Sequence, residues 1–247
     1  MFSRLYFICA YFASWLIFGA VGLAFNLGCA GLLLLPGRER REPVVGEAIR
    51  RLFAFWVGWL DLTGLIAVTW RGPGVRNLPR QAVYVSNHPG LLDATFLLAY
   101  LPGAVCIFKP ALRRNPFLAP AAITAGYAAG DAGLDLVRDV AGKVAGGRAL
   151  LLFPEGTRTD AGVLLNPLKP GFALIAQRAG VPVQVLIIAA SRDLLAKNRP
   201  WWSIPKFPSE VDVHVDRLIP HDPDRPIADV IADVEQRFIA RLSGAAP

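Results

Sequence analysis

Several things are scarce in this 247-residue chain, and each scarcity closes a class of function. It has three cysteines, Cys9, Cys29 and Cys106, with no CxxC pair, so neither a disulfide framework nor a thiolate metal site is expected. An odd count set in apolar sequence suits a reducing compartment. No zinc-finger spacing and no dense Lys/Arg tract interleaved with aromatics is present, so nucleic acid is not the expected partner despite a net charge of +7. No internal repeat is found. Charge itself is sparse at 18% of residues against 54% hydrophobic, a balance that leaves part of the surface facing lipid.

The longest gap in charge runs from Leu5 to Gly37. It exceeds a secretory h-region of ~7–15 residues, so it is expected to stay attached. It also exceeds the ~20 residues that cross ~30 Å of hydrocarbon, and can span with tilt before Pro36-Gly37 ends it. Arg38, Arg40, Arg41, Arg50 and Arg51 follow it, against Arg4 alone before it, a bias that puts the rest of the chain on the cytoplasmic side of an inner membrane. A second apolar stretch, residues 52–68 with Trp56 and Trp59, reads as a helix in the interface or packed on the first, or else as a core helix. Residues 1–70 are therefore expected to anchor, and residues 71–247 to form one further domain.

Past Arg71-Gly72-Pro73-Gly74 the rhythm becomes short apolar runs between helical stretches, which predicts an α/β sheet flanked by helices. Strands are expected at 82–85, 104–108, 149–153, 183–188 and 211–215, and helices at 91–101, 137–145, 172–179 and 228–242. Residues 191–208 read as a loop whose Trp201 and Trp202 sit at headgroup level or cap the core.

Of three histidines, His214 alternates within a strand and His221 lies in a polar turn. His88 differs: it follows a buried strand and precedes a helix, where an α/β sheet presents side chains to ligands. Asp93, five places on, can return to the imidazole through the Pro89-Gly90 turn. A carboxylate on one ring nitrogen leaves the other free to take a proton from a hydroxyl, so the pair is a candidate base and orienter. A second strand breaks at Pro154 into a turn bearing Glu155, Gly156, Thr157 and Arg158. There Arg158 can hold a phosphate or carboxylate, and Glu155 can orient an acceptor or brace the turn.

With these residues in place the chain resembles the lysophospholipid acyltransferases over about Val83 to Ile188. The NHxxxxD motif is met by Asn87, His88 and Asp93, and FPEGTRT by Phe153 to Thr159. A lysine-bearing segment matches with Lys109, Pro116 and Gly126, and a later KxG with Lys169 and Gly171. The resemblance implies a mixed, mostly parallel sheet with N-terminal membrane helices, His88 as general base and Asp93 as its partner. It implies substrate contacts from Asn87, Lys109, Glu155, Gly156, Thr157 and Arg158. It further implies no metal and no cofactor, with acyl-ACP or acyl-CoA as co-substrate and a membrane lysolipid as acceptor. Two departures stand out: Ala132 occupies the place of a family arginine, and Val181-Pro182-Val183-Gln184-Val185 has valine where the family has a second proline. Lysophosphatidic acid, a lyso-aminolipid and a glycolipid are all open as acceptors; a thioesterase and an inactive lipid-binding protein are the remaining alternatives.

Overall fold

The computed structural model describes residues 4–108, 110–115, 118–130, 133–190, 194 and 197–244. Lys109, Pro116 and Ala132 lie outside the described residues.

Two helices lead. The first, α1 (Arg4–Leu33), is long and apolar enough to cross a membrane, and only 11% of its most apolar window is buried. Its pattern is inverted relative to a soluble amphipathic helix, because the residues facing protein include the polar ones, Tyr11, Ser14 and Asn26, while Leu5, Phe12, Leu16 and Leu27 point out. The inward groups are hydrogen-bonded along the whole helix. Tyr6 Oη donates to Thr63 O (3.1 Å), Trp59 Nε1 to Ser14 Oγ (3.0 Å), and the Ala121 amide to Asn26 Oδ1 (3.0 Å). The second helix, α2 (Arg38–Leu62), buries Val45, Ile49, Trp56, Val57 and Leu60 on one face.

This corrects the expectation for residues 52–68. The helix stops at Leu62, Gly64 turns the chain at φ +67°, and Ile66–Arg71 forms strand β1. The β-branched residues Ile66, Val68 and Thr69 take the pleat that a half-buried edge offers. Because β1 pairs with the last strand, a division at residue 70 cuts through the sheet.

The remaining strands are β2 (Val83–Ser86), β3 (Ala104–Phe108), β4 (Ala128–Ala129), β5 (Ala149–Leu152), β6 (Val183–Ala190) and β7 (Ser209–Ile219), in the order β1-β7-β6-β2-β5-β3-β4. All pairs are parallel except β6 with β7, so the sheet is mixed and mostly parallel. Burial on both faces explains the unbroken apolar runs of its centre, VYVS and ALLL. Helices α3 (Asp93–Leu98), α4 (Ala119–Thr124), α5 (Leu134–Ala145), α6 (Gly171–Ala179) and α7 (Ile227–Gly244) complete the chain. One face packs α2 and α3 against Tyr84, Leu151 and Val213; the other packs α5, α6 and α7 against Val83, Leu150 and Val185.

Candidate functional site

Strands β2 and β5 are parallel neighbours, with Val85 opposite Leu152, so their C-terminal ends release His88 and Glu155 side by side. That edge is where parallel sheets place ligands.

Past Ser86 the main chain leaves the ladder, and Asn87 continues it with its side chain. Its Nδ2 donates to Ile188 O (2.9 Å) and its Oδ1 accepts from the Ile188 amide (2.7 Å). Both polar ends of Asn87 thus pin β2 to β6 beneath the turn, a bracing role where the sequence placed it among substrate contacts.

His88 Nδ1 lies 2.8 Å from Asp93 Oδ2, and the same oxygen accepts the Gly90 amide at 2.7 Å. An oxygen serving two donors is an acceptor, which assigns the proton to His88 Nδ1 and leaves Nε2 with a lone pair. Nε2 has no hydrogen-bond partner among the described residues. The Phe153 ring stacks on the imidazole at 4.1 Å and 19°, fixing its plane. Asp93 is buried, and burial pushes its carboxyl above the usual range, opposed by the bonds from His88 and Gly90. The two donors oppose that burial and favour the ionised form, in which a proton arriving on Nε2 meets a compensating charge.

The second turn clamps the first. Glu155 Oε1 accepts the His88 amide (2.8 Å) and Thr159 Oγ1 (2.9 Å), and Oε2 accepts the Asn166 amide (2.9 Å). The Thr159 amide returns to His88 O at 2.8 Å. Glu155 is 3% exposed with both oxygens occupied by donors of the protein itself, the bonding pattern of a brace. Arg158 and Thr157 are half-buried on the same turn, which Asn166 Nδ2 holds by donating to Arg158 O (3.1 Å).

Gly156 has φ +68°, and a Cβ there would stand 2.7 Å from Lys169 Nζ and 2.9 Å from its Cε. Glycine is required for the left-handed backbone, and the lysine side chain lies across the open face it leaves. Lys169, whose amide is tied to Pro154 O (2.8 Å), thereby sets its ammonium over the turn. The sequence matched Lys169 to a motif without giving it a role; the signal was there in KxG, but only the fold shows what it crosses.

Beside the turn opens an apolar cavity of about 540 Å³, walled by α1, α2, α3, α4 and the end of β3. Leu91 and Ala94, which flank Asp93 in sequence, form part of its wall, with Gly22, Phe53, Cys106 and Tyr127 around it. Burial pushes the Cys106 thiol up to about 12, so it stays protonated at neutral pH and is a wall atom rather than a nucleophile.

An oriented imidazole whose neighbours Leu91 and Ala94 line an apolar cavity defines a class of site in which a base meets an amphiphile. Residues 71–189 match the Acyltransferase family. The 1-acyl-sn-glycerol-3-phosphate acyltransferase of Cocos nucifera is 28% identical over 177 residues, covering 68% of this chain and 54% of its own length. That of Helicobacter pylori is 33% identical over 120 residues, 43% of this chain and 48% of its own. The crystal structure of the 1-acyl-sn-glycerophosphate (LPA) acyltransferase PlsC from Thermotoga maritima shares the fold, with a TM-score of 0.71 over 97% of this chain and 95% of that one, at 21% identity. The chain spans about half the length of the curated relatives it matches. It belongs to the lysophospholipid acyltransferase family.

Proposed function

We propose that this protein transfers a fatty acyl group from a thioester, acyl-CoA or acyl-ACP, to the free hydroxyl of a membrane lysolipid, with no resident metal or cofactor. The observation that carries this is the His88–Asp93 pair, its Nε2 unpartnered among the described residues, opening beside the 540 Å³ apolar cavity. In this reading Nε2 takes the hydroxyl proton as the acceptor oxygen attacks the thioester carbonyl. The tetrahedral adduct then collapses with cleavage of the C–S bond, and the imidazolium returns its proton to the departing thiolate. The acyl chain fills the cavity, and Arg158 and Lys169 face the acceptor headgroup, with Lys109 at the thioester carbonyl as the resemblance implies.

The names of the relatives favour 1-acylglycerol-3-phosphate as acceptor. One observation favours a second reading, another lysolipid: Ala132 stands where family members carry a phosphate-binding arginine. A lost charge-assisted contact is worth roughly 1.5–3 kcal/mol, or tenfold and more in affinity.

Membrane attachment is part of the same proposal. Hydrogen bonds hold α1 to the body from Tyr6 to Asn26, roughly 30 Å of helix at 1.5 Å per residue. A helix so bound along its length fits one lying in a single leaflet with its outer face in lipid better than one crossing alone. The basic residues after it favour the cytoplasmic leaflet.

The test is thiol release from acyl-CoA and acyl-ACP with purified protein and a panel of lysolipids, products read by mass spectrometry, beside His88→Ala and Lys169→Met. Expected are acylated lysolipid with the unaltered chain, loss of roughly 10²–10⁴-fold with His88→Ala, and a raised KM for phosphate-bearing acceptors with Lys169→Met. Free fatty acid without lipid product would make it a thioesterase; full activity in His88→Ala would end the mechanism.

A further inference from the structure

The chain between β6 and β7 links two places that otherwise have no reason to communicate. At one end it belongs to the site: a Cβ on Gly90 would stand 3.1 Å from Leu194 O, so this segment passes against the His88–Asp93 turn. Lys197 Nζ binds Asp160 Oδ1 at 2.5 Å, just past the Phe153–Thr159 motif. At its other end the segment is riveted to the first half of α1. Tyr11 Oη donates to Trp201 O, Trp201 packs at a tilt on Trp15 at 5.6 Å, and Phe207 packs on Tyr11 at 5.5 Å and Phe7 at 6.0 Å.

What lies between those rivets is not capping the core. Trp201 is 45% and Trp202 60% exposed, and Ile204 is exposed beside them. The first half of α1, to which they are fastened, exposes Leu5, Phe12 and Leu16 as well. Exposed cations mark one rim: Arg4, one turn before Phe7, and Lys206, next to Phe207. Tryptophan with a basic border is the composition of a surface that rests at the headgroup level of an anionic bilayer, where nearby Lys and Arg are attracted to the lipid charge.

We propose that residues 197–207 are a second membrane-docking element, seated on the anionic phospholipid surface of the leaflet that receives α1, and that this strap sets the height of the His88 turn above the bilayer. The inference rests on the reading of the protein as membrane-held, and is tested apart from its activity. The full chain, bound to phosphatidylcholine/phosphatidylglycerol vesicles carrying brominated acyl chains, is compared with Trp201→Phe/Trp202→Phe. The fluorescence lost by substitution is the contribution of the two indoles. Expected is a blue-shifted component quenched by bromolipid and shielded from aqueous iodide. A component quenched by iodide and untouched by bromolipid overturns the proposal, and so does one reached by neither, which would mean a second copy or another protein covers the patch.

A second arm reads function. Trp201→Ser/Trp202→Ser should lose activity on a vesicle-borne lysolipid while keeping it on the same lipid in detergent micelles, since neither indole belongs to the site. Equal loss in both would mean a purely structural loop and would overturn the docking role. A chain without acyltransferase activity would still give the quenching result.

Discussion

Around His88 nearly every polar atom that sets the geometry has a fixed partner, whereas the cavity next to it has almost nothing polar to hold. Asp93, Gly90, Glu155, Thr159, Asn87 and Asn166 form one connected set of bonds of 2.7–3.1 Å that ties three strand ends together. The cavity is shaped instead by side chains such as Phe53, Leu98 and Tyr127 and by bare helix backbone at Gly19 and Gly22. The first region can position a proton to a fraction of an ångström; the second can only measure length and exclude water. Under the proposed function the comparison makes chemistry and chain selection separable, so substitutions in one should leave the other's signature intact.

The largest expected break is Asp93→Asn. An amide oxygen can still accept from His88 and Gly90, so the fold and ring orientation should survive. The charge that steadies the imidazolium is gone, and turnover should fall on the order of 10⁴-fold, the cost of this substitution in serine-protease triads. Circular dichroism and single-turnover acyl transfer check it, and a variant within tenfold of the parent would leave Asp93 a helix-start residue only.

Next comes Glu155→Gln, which decides between acceptor contact and brace. Its carboxylate serves three donors, and an amide can satisfy at most two of them while turning its own NH₂ toward the third. A buried mismatch of this kind costs about 1–3 kcal/mol, or roughly 2–4 °C of Tm per kcal/mol. The expected kinetic signature is a lower kcat with a nearly unchanged acceptor KM, because His88 moves rather than the headgroup. The reverse pattern, intact Tm with a raised KM, would restore Glu155 to the acceptor.

That outcome bears on what the sequence could show. His88, Asp93 and the Glu155 turn were legible because each stands at the end of an apolar run, where a strand must stop and a polar group has few structural excuses. The five expected strands all exist: four were legible as apolar runs buried on both faces, and residues 211–215 by the VDVHV alternation of a strand buried on one. What was not legible was hidden by context. β1 was masked because Ile66, Ala67 and Val68 continue the apolar run of α2, and hydrophobicity carries no sign of where period 3.6 yields to 2. The bracing roles of Asn87 and Glu155 depend on which backbone amides the fold brings within 3 Å, and no spacing states that. The cavity draws one wall from α1 and another from residues 91–98, a pairing that only tertiary packing reveals.

The smallest expected effect sharpens the comparison from the cavity side. A Cβ at Gly22 would meet nothing within 4 Å, and the residue lines the cavity, so Gly22→Leu adds volume to empty space rather than to packed side chains. Stability should hold or rise, because leucine is the better helix former by roughly 0.5–1 kcal/mol. The activity of the His88–Asp93 pair on short-chain donors should be unchanged. Long-chain donors should suffer, since each methylene kept from the cavity forfeits about 0.8 kcal/mol, near fourfold in kcat/KM. Competition between donors of graded length reads this directly: a shift of the optimum toward shorter chains assigns the cavity to the acyl group, whereas a uniform loss across lengths would mean that the two regions are coupled and that the separation drawn from their bonding does not hold.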